Sequence, residues 1–287
     1  MGCKGMEERE LNREQVLSLL PERQEEGHKG AYGKLLLLCG SRGYTGAAYL
    51  AAMGALRCGA GLVFLGVPES IYAIEACKLN EPVVFPLPER EGKLSEEAIP
   101  EILTRLPQMD AVLMGCGLGQ SEGTFSVVKA VLENARCPVV LDADGINVLA
   151  PHKDILRGRQ HPTILTPHEG EFCRLGGASD GDKMTRAGAF ARDWNCILVL
   201  KGHGTCVTDG QTGYINPTGN PGMAVGGSGD VLAGMITALI GQGIAPLEAA
   251  AAGAWLHGAA GDVCARELGQ YGMLPTDMLN TLPRLLK

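Results

Sequence analysis

The strand-like segments of this chain are short, unbroken apolar runs. Lys34–Cys39 contains four consecutive leucines, and Leu62–Val67, Ala111–Met114, Pro138–Leu141 and Cys196–Leu200 are built the same way. A strand with one wet face alternates apolar and polar residues, whereas a strand buried on both faces has no reason to. Burial on both faces is the condition of a parallel sheet whose helical crossovers cover it above and below. The runs therefore constrain the chain to an α/β fold: a doubly wound, mostly parallel sheet with helices on both faces. No linker or repeat divides the 287 residues, so one domain over residues 1–287 is expected, with residues 1–27 as a helical extension.

The remaining elements follow from period and punctuation. Further strands are predicted at Pro82–Phe85 and Thr163–Leu165, and a hairpin joins Thr205–Thr208 to Gly213–Ile215 across Asp209-Gly210. Helices are predicted at Glu7–Leu20, Gly46–Cys58 with Thr45 as its cap, Ser70–Leu79, Ser95–Leu106, Thr124–Asn134 and Asp182–Trp194. The C-terminal third reads as helices Asp230–Leu239, Pro246–Glu267 and Pro275–Leu286.

Composition narrows the function. Gly is abundant at 41 residues and aromatics make up only 5%, so ligands are expected to meet backbone in tight loops. A formal net charge of −7 argues against a nucleic-acid-binding face, which would be basic. The ten cysteines include no two closer than ten residues; without a Cys-x-x-Cys pair a zinc site is not expected, and most read as buried thiols in a reducing compartment. Met1–Glu25 is polar, unlike a signal peptide, and no run reaches the ~20 apolar residues of a membrane span. A cytoplasmic protein with no membrane partner is the expectation.

The special residues cluster by position. Gly40-Ser41-Arg42-Gly43-Tyr44-Thr45-Gly46-Ala47, Gly115-Cys116-Gly117-Leu118-Gly119, Asp142-Ala143-Asp144-Gly145, Thr166-Pro167-His168-Glu169-Gly170-Glu171 and Lys201-Gly202-His203-Gly204-Thr205 each follow a predicted strand. In an open parallel sheet those strand ends share one edge, where ligands bind. Each motif has a plainer alternative: a tight turn, a helix cap or a loop histidine. A last loop, Gly226-Gly227-Ser228-Gly229-Asp230, runs straight into an apolar helix. Backbone N–H groups at such a helix start suit a phosphate or a developing anion, and Asp230 is placed to take a proton from a reacting hydroxyl. By itself Asp230 is equally a residue favoured near any helix N-terminus.

As a series these motifs, together with Asn216-Pro217-Thr218-Gly219-Asn220, resemble the NAD(P)H-hydrate dehydratases of the ribokinase-like superfamily, from His28 to about Lys287. The resemblance implies repair of hydrated NADH or NADPH, in which ADP or ATP drives water off the nicotinamide ring, with Mg2+ as cofactor. It implies Asp230 as base with the N–H groups of Gly227, Ser228 and Gly229 at the transferring phosphoryl. It also implies Ala47, Gly117, His168 and Asp230 at the damaged cofactor. Lys201, Gly202, His203, Gly204, Thr205 and Gly229 would meet the adenine nucleotide, and Glu171 would organise the metal, directly or through water. Vitamin kinases of the superfamily carry Asn-x-x-Glu where this chain has His168-x-x-Glu171, a departure that favours the dehydratase. The family also implies a homo-oligomer, with a tetramer as one form, and a separate epimerase, since this chain has no room for one. Two other readings stay open on the Asp230 loop alone: an ATP-dependent small-molecule kinase of the same fold, and a non-catalytic nucleotide sensor.

Overall fold

The computed structural model describes residues 7–287; Met1 to Met6, including Cys3 and the start of the predicted extension, lie outside the described residues. Among the described residues twelve strands occur in chain order: β1 (Glu7–Arg9), β2 (Lys34–Leu38), β3 (Leu62–Pro68), β4 (Val83–Leu87), β5 (Glu89–Arg90), β6 (Lys93–Leu94), β7 (Ala111–Met114), β8 (Val139–Leu141), β9 (Thr163–Leu165), β10 (Ile197–Leu200), β11 (Cys206–Thr208) and β12 (Thr212–Ile215). Ten form one sheet in the order β1-β12-β11-β10-β9-β8-β7-β2-β3-β4, and β5 and β6 make a separate hairpin. From β10 through β9, β8, β7, β2 and β3 to β4 every pairing is parallel. The predicted hairpin across Asp209-Gly210 supplies the antiparallel pairs β10/β11 and β11/β12.

The unbroken apolar runs are explained by two cores. Along β2, Leu35 and Leu37 belong to one, while Leu36 and Leu38 belong to the other. In β7, Ala111 and Leu113 face the first core and Val112 and Met114 the second. The first core is closed by helices Thr45–Arg57, Ser228–Gly241, Pro246–Leu268 and Pro275–Leu285; the second mainly by Ile99–Arg105, Glu122–Asn134, Ala143–Leu149 and Lys183–Trp194. The helix carrying Asp230 is buried along most of its length. It crosses Thr45–Arg57 at backbone contact: a Cβ on Gly234 would lie 2.1 Å from the Ala51 carbonyl oxygen, and one on Gly54 2.6 Å from that of Val231. Ala and Gly here serve close helix approach.

Several elements differ from expectation. Glu7–Leu20 is not one helix; β1 adds to the sheet edge beside β12, and Asn12 then caps a shorter helix, Arg13–Leu19, through a reciprocal pair with Gln15. Thr45 is the first helical residue, with Tyr44 at the cap position. Ser95–Leu106 opens as a 3-10 turn, Glu96–Ala98, before the helix Ile99–Arg105, whose first turn contains Pro100. The short helices Ala143–Leu149, Ile155–Gly158 and Glu169–Arg174 were too brief to show a period. Nine cysteines among the described residues are free thiols, of which Cys77 and Cys173 are exposed. No helix among the described residues is long and apolar enough to cross a membrane.

Candidate active site

The five post-strand motifs follow β2, β7, β8, β9 and β10, which are neighbours in one parallel array, so they share one edge. Backbone and side-chain bonds stitch each loop to the next. The Gly40 N–H donates to the Cys116 carbonyl at 2.8 Å, and the Ser41 hydroxyl to that of Gly117 at 2.7 Å. The Gly119 N–H donates to Asp144 at 2.9 Å, the Thr166 N–H to Leu141 at 3.1 Å, and the Lys201 N–H to Pro167 at 2.8 Å. Ala47 meets Gly117 directly, because a Cβ on Gly117 would sit 2.8 Å from the Ala47 Cβ.

A charged cluster lies at the centre of this edge. One side-chain atom each of Cys116, Asp142 and Asp230 falls within 4.8 Å of the others. The Oδ1 of buried Asp142 accepts from the Thr166 hydroxyl at 2.6 Å and from the Lys201 ammonium at 2.8 Å. Lys201 Nζ also lies 3.9 Å from Glu171 Oε2, which accepts the His168 N–H at 2.8 Å. Burial works against the Lys201 ammonium, but the Asp142 and Glu171 carboxylates outweigh it and its pKa is raised. Asp230 is pushed up to about 7, first by burial and then by the Asp142 charge, against the smaller opposing pull of the Cys116 thiol and Lys201. A carboxyl poised there suits proton abstraction near neutral pH.

Asp230 is not a helix cap. The cap position is Gly227, at a left-handed φ of 97°, and the helix runs Ser228–Gly241 with no side-chain cap bond. The Ser228 N–H donates to the Val225 carbonyl at 3.3 Å, whereas the first-turn N–H groups of Gly229 and Asp230 have no intrahelical acceptor. Gly229 lies over Lys201: a Cβ there would be 3.2 Å from Nζ. Below the turn the Ser228 hydroxyl meets His257 Nε2 at 3.3 Å, and burial pushes His257 down to about 4, so its ring is neutral. A Cβ on Gly227 would lie 2.3 Å from a Leu50 methyl. Gly227→Ala is therefore expected to cost about 1–3 kcal/mol of stability, measured by chemical denaturation, and to lower turnover by displacing this turn.

His168 sits on the same edge in a specific local role. It is the N-cap of Glu169–Arg174, with Nδ1 accepting from the Gly170 and Glu171 N–H groups at 2.9 and 3.4 Å while Glu171 reaches back to the His168 N–H. Its ring nitrogen thus does what the side-chain oxygen of an Asn cap would do. Gly202, His203, Gly204 and Thr205 form the adjoining loop after β10. The Thr205 hydroxyl donates to the Gly202 carbonyl at 2.9 Å, and Lys183 Nζ donates to the carbonyls of His203 and Gly204 at 3.1 Å each. The sequence reading missed Lys183 and the parts played by Asp142, Cys116 and Asp144. Asp142 was visible as a post-strand acid, but its contacts with Lys201 and Thr166 cross three strands and have no local signature.

Comparisons with known proteins identify the family and the fold. A family model described as NAD(P)H-hydrate dehydratase matches residues 35–284. The chain is 47% identical over 277 residues to the bifunctional NAD(P)H-hydrate repair enzyme of Moorella thermoacetica, covering 94% of this chain and 52% of that protein; it spans about half the length of the bifunctional relatives it matches. It is 36% identical over 281 residues to the ADP-dependent (S)-NAD(P)H-hydrate dehydratase of Bacillus subtilis, covering 96% of each. A crystal structure of the ADP/ATP-dependent NAD(P)H-hydrate dehydratase from Bacillus subtilis, co-crystallised with ATP and Mg2+, superposes with a TM-score of 0.84 at 31% identity over 99% of this chain and 98% of that one. With its ribokinase-like fold and a family match over nearly the whole chain, this protein belongs to the NAD(P)H-hydrate dehydratase family.

Proposed function

We propose that the chain, acting as a single domain, dehydrates hydrated NADH and NADPH at the expense of an adenine nucleotide. The observation that carries this reading is the grouping of Asp230, pushed up to about 7, with Asp142, whose Oδ1 holds the Lys201 ammonium, at the open first turn of the Asp230 helix. The name of the Bacillus subtilis relative supports ADP as donor and the (S) hydrate as substrate.

In this reading Asp230 takes the proton of the ring hydroxyl as its oxygen attacks the terminal phosphoryl group. The Gly229 and Asp230 N–H groups and the helix's positive end stabilise charge on that phosphoryl. Because the Ser228 N–H is engaged, its share of the work passes to the two amides after it. Lys201, held between Asp142 and Glu171, supplies a fixed positive charge at the nucleotide phosphates. Phosphate then departs, pushed by the ring nitrogen lone pair, and loss of a neighbouring ring proton restores the dihydropyridine. Ala47, Gly117 and His168 are assigned to the damaged cofactor, and Lys201 to Thr205 with Gly229 to the nucleotide.

The residues fit Mg2+ held mainly by phosphates and water. Glu171 Oε2 already accepts the His168 N–H and faces Lys201, so Glu171 would act through water. When bound, Mg2+ supplies neutralising charge to the transferring phosphoryl. One site of fixed hand accepts one epimer, so the proposal includes a separate epimerase. It also includes a cytoplasmic homo-oligomer; exposed Leu268, Tyr271 and Leu274 support an apolar contact.

Two results check this reading. With Asp230 as base, kcat/KM falls about tenfold per pH unit below a midpoint near the Asp230 pKa of about 7. Products from hydrated cofactor and Mg2+-nucleotide should be reduced cofactor and inorganic phosphate in equal amounts. A stable phosphorylated small molecule instead would establish the kinase reading.

A further inference from the structure

Asp142 occupies the cap position of helix Ala143–Leu149 yet makes no cap hydrogen bond. The next residue, Ala143, is held at a left-handed φ of 46° without being glycine. Such a conformation is strained and persists where its surroundings over-determine it. The carboxylate, only 2% exposed, is turned to other partners. Oδ1 takes Thr166 and Lys201, and Oδ2 accepts from the Cys116 thiol at 3.7 Å. Asp230 completes the group within 4.8 Å. Gly115, just before the thiol, carries a φ of 124°, and a Cβ there would fall 1.8 Å from the Asp142 carbonyl oxygen; the β7 and β8 loop backbones are pressed together at this point.

We propose that Asp142 is a positioning residue of the reaction: it anchors Lys201 at the nucleotide side and confronts Asp230 with a second carboxylate across the Cys116 thiol. The role rests on the dehydration chemistry proposed above. Two carboxylates this close resist simultaneous ionisation, so the Asp142 charge keeps Asp230 protonated to higher pH. Asp144, bonded to the Gly119 N–H, acts in the same direction, while Cys116 and Lys201 act in the opposite one. Asp142 serves both sides of the cleft, holding the cation that meets phosphate and setting the pH at which the base is available.

The test is a carboxyl 13C titration of Asp230 in the full chain, assigned by its loss in Asp230→Asn and run beside pH profiles of kcat/KM and nucleotide KM. In Asp142→Asn the Asp230 midpoint is expected to fall by about one pH unit or more. The acid limb of kcat/KM should move with it, and nucleotide KM should rise severalfold. In Cys116→Ala, which loses a donor, the midpoint should rise; Cys116→Ser should restore it. A folded Asp142→Asn whose Asp230 midpoint is unchanged overturns the proposal. If Asp142→Asn does not fold, Cys116→Ala decides, and an unmoved midpoint there overturns it. Because the titration needs no turnover, a wild type with the expected midpoints but no dehydration would sink the assigned reaction and leave the carboxylate coupling standing.

Discussion

Asp230→Asn is expected to lower kcat by roughly three orders of magnitude, the scale of a lost general base, while the protein folds and binds nucleotide. The substitution is nearly isosteric, and Asp230 makes no cap bond that Asn would have to replace. The stability change has a definite sign. A carboxyl raised to about 7 by burial contributes stability that is present at acid pH and lost as pH rises through the folded-state value. Asn carries no such dependence, so its melting temperature relative to wild type should climb between pH 4 and 8. Steady-state kinetics, calorimetric nucleotide titration and melting at the two pH values measure all three. A variant within tenfold of wild-type kcat would remove Asp230 from the chemistry.

Gly234→Val is expected to be the most damaging single change away from the cluster, at about 3 kcal/mol or more. The obstacle is backbone: the Ala51 carbonyl oxygen lies 2.1 Å from the added Cβ, and the Ala55 nitrogen 3.0 Å. Neither can rotate aside, so helices Thr45–Arg57 and Ser228–Gly241 must separate. Since the first begins beside Ala47 and the second carries Asp230, activity should fall with stability. Gly158→Ala is the control: it ends a helix with nothing within 4 Å of the added Cβ, and should leave the denaturation midpoint unchanged or raised. Equal behaviour of the two variants would mean that this helix contact is not close-packed.

How much of this was legible in the sequence depended on whether the signal was local. The leucines of β2 and the apolar runs of β3, β7 and β10 revealed themselves as strands buried on both faces, because a core lies against each face of the sheet. The edge position of the motifs followed from the strands they trail. Strand β1 was hidden: Glu7–Arg9 has three exposed residues and joins the sheet only by pairing with β12, about 200 residues away. Strand order was equally non-local, since β2 lies between β3 and β7 rather than beside β1. At the site, Asp230 was found from its Gly-rich approach to a helix, whereas Asp142 looked like any helix cap. The difference lies in Thr166 and Lys201, which reach Asp142 only when β8, β9 and β10 stand side by side.

The most direct measurement is recovery of the near-ultraviolet absorbance of the dihydronicotinamide ring from hydrated NADH, with Mg2+-ADP and Mg2+-ATP in parallel, for wild type and Asp230→Asn. The account predicts recovery by wild type with at least one nucleotide, matched by inorganic phosphate, and near-complete loss in the variant. No recovery by folded wild-type protein with either nucleotide would contradict it.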